Sequence, residues 1–323
     1  MKPRYLGLVG DVGGTNARFA LVDAEGRVRN LHIYQARDYP TLSEVIADYL
    51  KRTMGSARPP RAVIAVAGPV LDGEIAFTNL DWHVSEGDLL ATFEFEAVKL
   101  INDFAAQALA CPRLEPDNLR TLGPPLRGGG PDCPLIVLGA GTGFGVAGLA
   151  RGAFGDVAVA TEGGHAAFAP NDEVEVEIWR RMHARYGRVS IERLLSGAGL
   201  FDIYRILCEI SQHDGRAGDE RAVMEAGNAG DADAVAALDR FCAILGAVAG
   251  DLALSFGARG GAFISGGIAP RMAERLGAGG FRARFEDKGR LTPFVREIPT
   301  ALVLHPYPAL IGAARELEQM ERL

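Results

Sequence analysis

Two short glycine-rich turns, each set between apolar runs, constrain this chain more than any other feature. The first is Gly10-Asp11-Val12-Gly13-Gly14-Thr15-Asn16, between apolar runs at residues 5–9 and 19–22. The second is Gly139-Ala140-Gly141-Thr142-Gly143-Phe144-Gly145, between Leu135-Ile136-Val137-Leu138 and Val146-Ala147. Both read as strand, tight turn, strand. Without a Cβ, glycine lets backbone N–H groups come close to a ligand. Successive N–H groups in such a turn form a concavity that binds anions such as phosphate. A plain hairpin turn would account for either stretch alone, because Gly and Asp dominate turns. Their recurrence in one chain reads instead as two jaws holding one polyphosphate. Only the first carries an acid, since Asp11 stands where the second has Ala140. A carboxylate beside a phosphate repels it unless a cation lies between them. Asp11 is therefore read as a handler of Mg²⁺, directly or through water, an ion usually held by few carboxylates plus phosphates.

Two other nucleotide motifs are excluded. Neither turn contains G-x-x-x-x-G-K-[ST], and the second fails G-x-G-x-x-G because Phe144 holds its third glycine position. Both turns also lead into a strand rather than a helix, against a dinucleotide fingerprint.

Length and composition bound the rest. A chain of 323 residues predicts about two domains. Its 48% hydrophobic residues suffice for a sizeable core, and its net charge of -7 argues against nucleic acid as a general partner. No run of roughly 18 apolar residues predicts a membrane span. The opening Met1-Lys2-Pro3-Arg4-Tyr5 leads into a strand with no signal peptide, so a cytoplasmic protein is expected. Cys111, Cys133, Cys208 and Cys242 show no C-x-x-C spacing and read as reduced thiols rather than a zinc cluster.

Strands and helices alternate along the first half, which predicts an α/β fold. Residues 28–35 read as a strand. Residues 41–54 read as an amphipathic helix through Leu42, Val45, Ile46, Tyr49 and Leu50, with Thr41 and Glu44 as a capping box. Residues 62–67 read as a buried strand, and Phe77 and Trp82 as packing anchors. The Pro- and Gly-rich stretch 112–134, centred on Arg127-Gly128-Gly129-Gly130-Pro131, reads as a domain junction or exposed loop. Residues 174–256 read as mostly helical, with a long buried helix at 232–256 and loops at 215–218 and 227–230. A strand at 261–265 leads into Gly266-Gly267. Residues 281–290, alternately basic and acidic, read as a solvated face. A strand at 301–305 and a closing helix at 307–323 complete the chain.

Three further stretches carry candidate chemistry. An apolar strand ends at Asn102-Asp103, where a helix begins. Ligands in α/β folds sit beyond the carboxyl ends of strands. A helix cap needs only one such residue, and the helix N-terminus favours the ionised form of Asp103. In Thr161-Glu162-Gly163-Gly164-His165, Glu162 and His165 can donate and accept hydrogen bonds from sugar hydroxyls, although an ordinary polar loop would look the same. Ser190 caps a short helix whose first turn holds Glu192, a position that the helix dipole alone explains.

Taken together, these motifs resemble the sugar kinase, actin and chaperone ATPase superfamily. Within it the chain resembles the bacterial glucokinase family. The match rests on residues 10–18, Ile101-Asn102-Asp103-Phe104, Gly139-Ala140-Gly141-Thr142-Gly143, Glu162-Gly163-Gly164-His165, Leu195-Ser196-Gly197 and Gly266-Gly267-Ile268, in family order. The resemblance implies a two-domain actin-like (ribonuclease H-like) α/β fold with a ligand cleft. The smaller domain would comprise residues 1–111 and 303–323, the larger residues 112–302. It implies phosphorylation of glucose at its 6-hydroxyl, with ATP and Mg²⁺ required, Asp103 as catalytic base, and glucose held by Asn102, Asp103, Glu162, His165 and Glu192. ATP would be bound by Gly10, Asp11, Val12, Gly13, Gly14, Thr15 and Asn16, by Gly141, Thr142 and Gly143, and by Gly266 and Gly267 under the adenosine. Because the sugar residues fall on both sides of the expected boundary, glucose is expected to close the cleft. The resemblance further implies a homodimer, with no nucleic acid or membrane partner.

Rival readings remain at this stage. One is a kinase for fructose, mannose or an N-acetyl sugar. The related kinases and repressors with a Cys-x-Cys-Gly zinc motif are disfavoured, since the motif is missing here. A non-kinase actin-like ATPase would need both turns but neither Asn102-Asp103 nor Glu162 and His165. A sugar-sensing transcription regulator would need a DNA-binding module ahead of the first strand.

Overall fold

The computed structural model describes residues 5–77, 80–126, 132–153 and 155–322. The Arg127–Pro131 centre of the expected junction and the opening Met1–Arg4 lie outside the described residues. The chain divides into two compact units. The first comprises Met1–Glu115, Ala153–Ala160 and His305–Leu323, and the second Pro116–Gly152 and Thr161–Leu304.

The first unit is built on strands β1 (Tyr5–Val12), β2 (Asn16–Asp23), β3 (Val28–Gln35), β4 (Arg61–Val66), the small pair β5 (Glu74–Ala76) and β6 (His83–Ser85), and β7 (Ala97–Asn102). The main sheet runs β3-β2-β1-β4-β7. The glycine turn joins β1 to β2 as an antiparallel hairpin, while β1, β4 and β7 are parallel. Parallel strands covered on both faces need apolar side chains throughout, and Leu8, Val9, Val63, Ile64 and Val66 are all buried. Helix Leu42–Met54 presents the five expected apolar residues to this core, and Thr41 Oγ1 accepts from the Glu44 amide at 3.3 Å. Phe77 and Trp82 pack edge to face with ring centroids 6.0 Å apart. Helix Asp103–Ala110 follows β7 directly, and helix Pro308–Arg322 packs against it.

The second unit contains β8 (Leu119–Thr121), β9 (Leu135–Ala140) and β10 (Phe144–Gly152). After β11 (Gly155–Thr161), grouped with the first unit except for Thr161, come β12 (Gly261–Ser265) and β13 (Thr300–Val303). The order is β10-β9-β12-β13-β8. Helix Ala232–Phe256 runs through its core, with Asp231 as cap. Buried Glu175 lies between Arg240 and Arg284, accepting from them at 2.9 and 2.7 Å. Charges this deep persist only when paired.

Three local readings need correction. The stretch 281–290 is not a solvated face: Phe281 and Phe285 lie on one side of helix Gly280–Glu286 and are fully buried. Their carbonyls press against Gly246 and Gly250 of the long helix, where a Cβ would come within 2.0 and 2.4 Å. The charged residues flank the two rings: Arg282 stacks over Phe285 and donates to the Ile298 and Arg296 carbonyls, and Arg284 reaches buried Glu175. The stretch 112–134 is not all loop, because Leu119–Thr121 pairs antiparallel with β13. Gly227 falls within helix Glu220–Asn228 rather than in a loop.

Candidate functional site

The first unit gathers its candidate residues along one edge of its sheet. Register places Val12 opposite Val66, and Val66 opposite Asn102, so β1, β4 and β7 end level with one another. Neighbouring strands lie about 4.8 Å apart, which brings Asp11 and the Asn102-Asp103 pair to the same carboxyl edge, about 10 Å from each other. Within the first turn the Gly13 amide closes onto the Asn16 carbonyl at 2.9 Å. The Thr15 carbonyl accepts from Ala36, and Asn16 Oδ1 accepts from Gln35 Nε2. Among the described residues the amides of Gly14 and Thr15 make no hydrogen bond, and both residues are exposed. Gly10 and Val12 also pack into the core. A Cβ at Gly10 would meet the Phe19 ring at 2.8 Å, and the Val12 side chain is buried.

Asp11 is mostly enclosed, and Arg18 holds its Oδ2 at 2.9 Å from directly across the hairpin. Burial raises the pKa of Asp11, and the Arg18 guanidinium opposes that rise. Arg18 in turn lies over the Tyr307 ring, 5.5 Å from its centroid. Sequence reading gave Arg18 no role, although counting outward from the turn pairs position 11 with position 18.

Asn102 caps helix Asp103–Ala110. Its Oδ1 accepts from the amides of Phe104 and Ala105 at 2.9 and 3.1 Å, and its Nδ2 donates to the Gly68 carbonyl at 3.2 Å. Asp103 is the first helical residue and half-buried, and its Oδ1 also accepts from the Phe104 amide. Gly68 was likewise missed; the Gly68-Pro69 punctuation after β4 was its only signal.

In the second unit, the Gly141 amide closes onto the Gly143 carbonyl at 2.8 Å, and the Gly141 carbonyl accepts from Gly197 at 3.0 Å. The amides of Thr142 and Gly143 make no hydrogen bond among the described residues. Glu192 lies beside this turn, its Oε2 accepting from the Phe144 amide at 2.9 Å. Ser190 Oγ caps the Glu192 helix as expected. Glu162 and His165 are exposed at the two ends of one tight turn, and the His165 carbonyl accepts from Arg188. Gly266 is fixed by packing: a Cβ there would lie 2.4 Å from the Ala140 carbonyl. Gly267 faces open space. A groove of about 720 Å³ borders the segment after Gly267, lined by Asn228, Leu238, Asp239, Pro270, Arg271 and Arg275 among others. It contains none of the residues singled out from sequence.

Among the described residues no cluster of three or more His, Cys, Asp or Glu is placed to hold a metal ion. Asp11 alone at the lip of the first turn suits Mg²⁺ arriving with a nucleotide, since that ion keeps its phosphates and waters and takes one or two carboxylates from protein. Among the described residues no helix is long and apolar enough to cross a membrane.

The family model described as Glucokinase matches residues 8–320. A glucokinase of Caulobacter sp. (strain K31) is 53% identical over 315 residues, spanning 96% of this chain and 94% of that protein. The crystal structure of a glucokinase from an Antarctic psychrotroph has a TM-score of 0.88 and 36% identity, covering 96% of this chain and 98% of that one. A glucokinase of Balamuthia mandrillaris, solved in complex with glucose, shares the fold with a TM-score of 0.79 at 21% identity, over 98% and 94% of the two chains. The fold is that of the actin-like, two-domain sugar kinases. Within that class, the chain belongs to the glucokinase family.

Proposed function

We infer that this enzyme transfers the γ-phosphoryl group of ATP to the 6-hydroxyl of glucose. Beyond family membership, the observation that carries the reading is the shared sheet edge of the first unit. Asp103 stands there at a helix N-terminus, beside Asn102 and on the same rim as the glycine turn. A carboxylate at a helix N-terminus is stabilised as the anion, the form a general base needs. Asp103 takes the proton from the 6-hydroxyl as that oxygen attacks phosphorus. Asn102 offers its remaining amide hydrogen to a sugar hydroxyl.

The amides of Gly14, Thr15, Thr142 and Gly143 are the donors for phosphate oxygens, because the other turn amides are engaged within the fold. Asp11 would hold Mg²⁺, directly or through water, and the ion would neutralise charge on the phosphates. Arg18 fixes the Asp11 carboxylate in place. Glu162 and His165, exposed at the two ends of one turn, and Glu192 on its short helix bind sugar hydroxyls. Gly267 leaves room for the adenosine. In-line transfer between two oxygens needs no covalent intermediate.

A coupled assay over glucose, fructose, mannose and N-acetylglucosamine, with ATP as donor, tests the substrate. Glucose should give the highest kcat/KM, and a preference for another hexose would replace it in this reading. Asp103→Asn tests the base: turnover should fall by about 10²–10⁴ with glucose KM nearly kept, and near-normal turnover would remove Asp103 from the role.

A further inference from the structure

We propose that Glu192 is a positioning residue for the Gly141–Gly143 turn, so that glucose and ATP affinities are coupled through one carboxylate. The inference rests on the reading above, in which Glu192 touches the sugar and this turn touches phosphate. Three contacts carry it. Glu192 Oε2 accepts from the amide of Phe144, the residue that ends the turn, at 2.9 Å. The same oxygen fills the space where residue 143 would carry a side chain, since a Cβ on Gly143 would lie 2.5 Å from it. Gly164, between Glu162 and His165, lies so close behind Phe144 that a Cβ would come 2.1 Å from the Phe144 carbonyl. Phe144 thus donates its amide to one sugar residue, and its carbonyl packs against the turn that bears two others.

The frame behind Glu192 is fixed. Ile191 donates to the Ala166 carbonyl at 2.9 Å, Ser190 Oγ accepts from Arg193, and Gly197 donates to the Gly141 carbonyl at 3.0 Å. The segment 190–197 therefore grips the turn at both ends, through Gly197 at its start and Glu192 at its finish. A sugar that orders the Glu192 carboxylate also orders the Phe144 amide. Coupling between two binding sites is reciprocal, so a bound phosphate that fixes the turn must favour the sugar-binding position of Glu192 by the same factor.

Calorimetric titration of the full-length enzyme with a non-hydrolysable ATP analogue, with no glucose present, separates this from a sugar contact alone. Glu192→Leu removes the acceptor and should weaken analogue binding about fivefold or more. Glu192→Gln keeps an amide oxygen for Phe144 and should bind the analogue at least as tightly as wild type, because it also removes a negative charge near phosphate. Gly143→Ala supplies the converse. Its Cβ displaces the Glu192 carboxylate, so glucose titrated without nucleotide should bind about fivefold more weakly, although residue 143 belongs to the ATP turn. In the double variant Glu192→Leu with Gly143→Ala, glucose should bind no worse than to Glu192→Leu alone. Unchanged analogue affinity in a folded Glu192→Leu protein overturns the proposal. If that variant does not fold, unchanged glucose affinity in Gly143→Ala overturns it instead. Unaltered glucose binding in Glu192→Gln, alongside weakened analogue binding in Glu192→Leu, would sink the sugar contact while leaving the positioning role standing.

Discussion

Asn102 is the residue where two explanations compete, and the geometry lets them be separated. Its Oδ1 is committed to the Phe104 and Ala105 amides, and one hydrogen of Nδ2 to the Gly68 carbonyl. That leaves one amide hydrogen for a sugar hydroxyl. A neutral hydrogen bond contributes about 0.5–1.5 kcal/mol, so losing this donor should raise glucose KM about 2- to 12-fold. The cap contributes on its own account. Replacing an Asn cap by Ala costs about 1 kcal/mol, whereas Ser caps as well as Asn does.

Asn102→Ser should therefore keep the cap and lose the bonds to Gly68 and to the sugar. Asn102→Ala should lose all three. In a unit of roughly 140 residues, the extra 1 kcal/mol should put the alanine variant about 4 °C below the serine variant in Tm. Glucose KM should be raised to the same extent in both, and ATP KM should stay near wild type. Calorimetric melting and steady-state kinetics on the three proteins give both readouts. Wild-type glucose KM in Asn102→Ser would leave Asn102 a helix cap and nothing more. A KM that rises only in the alanine variant would show affinity following helix stability, which also removes the sugar contact.

Asp11→Ala should raise the Mg²⁺ concentration needed for half-maximal rate, and an unchanged Mg²⁺ titration would reduce Asp11 to the partner of Arg18. Glu162→Gln keeps shape but removes a charged acceptor, a change of about 1.5–3 kcal/mol. Glucose KM should rise about tenfold or more while ATP KM stays put; equal changes in both would point to a folding defect. Asp172 caps helix Glu173–Tyr186 and pairs with Arg240. Burial pushes its pKa up, but the Glu175 amide and Arg240, with Arg284 behind it, outweigh burial and leave it below 3.8. Its stabilisation is thus present above about pH 4 and lost as pH falls through the lowered native value. Asp172→Asn keeps the cap, so the stability gap between variant and wild type should narrow in denaturant melts taken from about pH 5 down to about pH 3. A gap that does not change with pH would mean the charge contributes nothing.

What the sequence made legible follows from how local each signal is. Helix Leu42–Met54 carries its apolar stripe and its cap within fourteen residues, and helix Ala232–Phe256 is bounded by Asp231 and Gly257, so both could be read without knowing their neighbours. Helix Gly280–Glu286 could not. Two aromatic residues four apart among five others give too short a period to register, and the glycines that let their backbone pack closely belong to another helix. The strand Leu119–Thr121 has the same problem, since three residues in a Pro- and Gly-rich stretch become a strand only by pairing with Thr300–Val303. The same division runs through the candidate site. The end of β7 announces Asn102 and Asp103, whereas the pairing of Asp11 with Arg18 depends on hairpin register and the bond that the Phe144 amide donates to Glu192 on a partner 48 positions away.

Glycine shows most clearly why a motif can be recognised before it is understood. Read as letters, the glycines of the two turns and of Gly266-Gly267 look like one kind of residue serving one purpose, closeness to a ligand. In the fold they divide. A Cβ at Gly139 would lie 2.2 Å from the Ser265 carbonyl, and one at Gly266 would lie 2.4 Å from that of Ala140. These two let the ends of β9 and β12, which pair in parallel, come into close contact. Gly141 and Gly267 meet nothing within 4 Å, so packing does not demand glycine there and the space beside them is open to a ligand. Gly143 belongs to neither group, because the carboxylate of Glu192 stands in its place. Packing and ligand approach therefore act on alternate positions of the same few residues. A random turn would have to meet both demands at once to imitate the pattern, which is why the combined motif identifies a family when each glycine alone identifies only a turn.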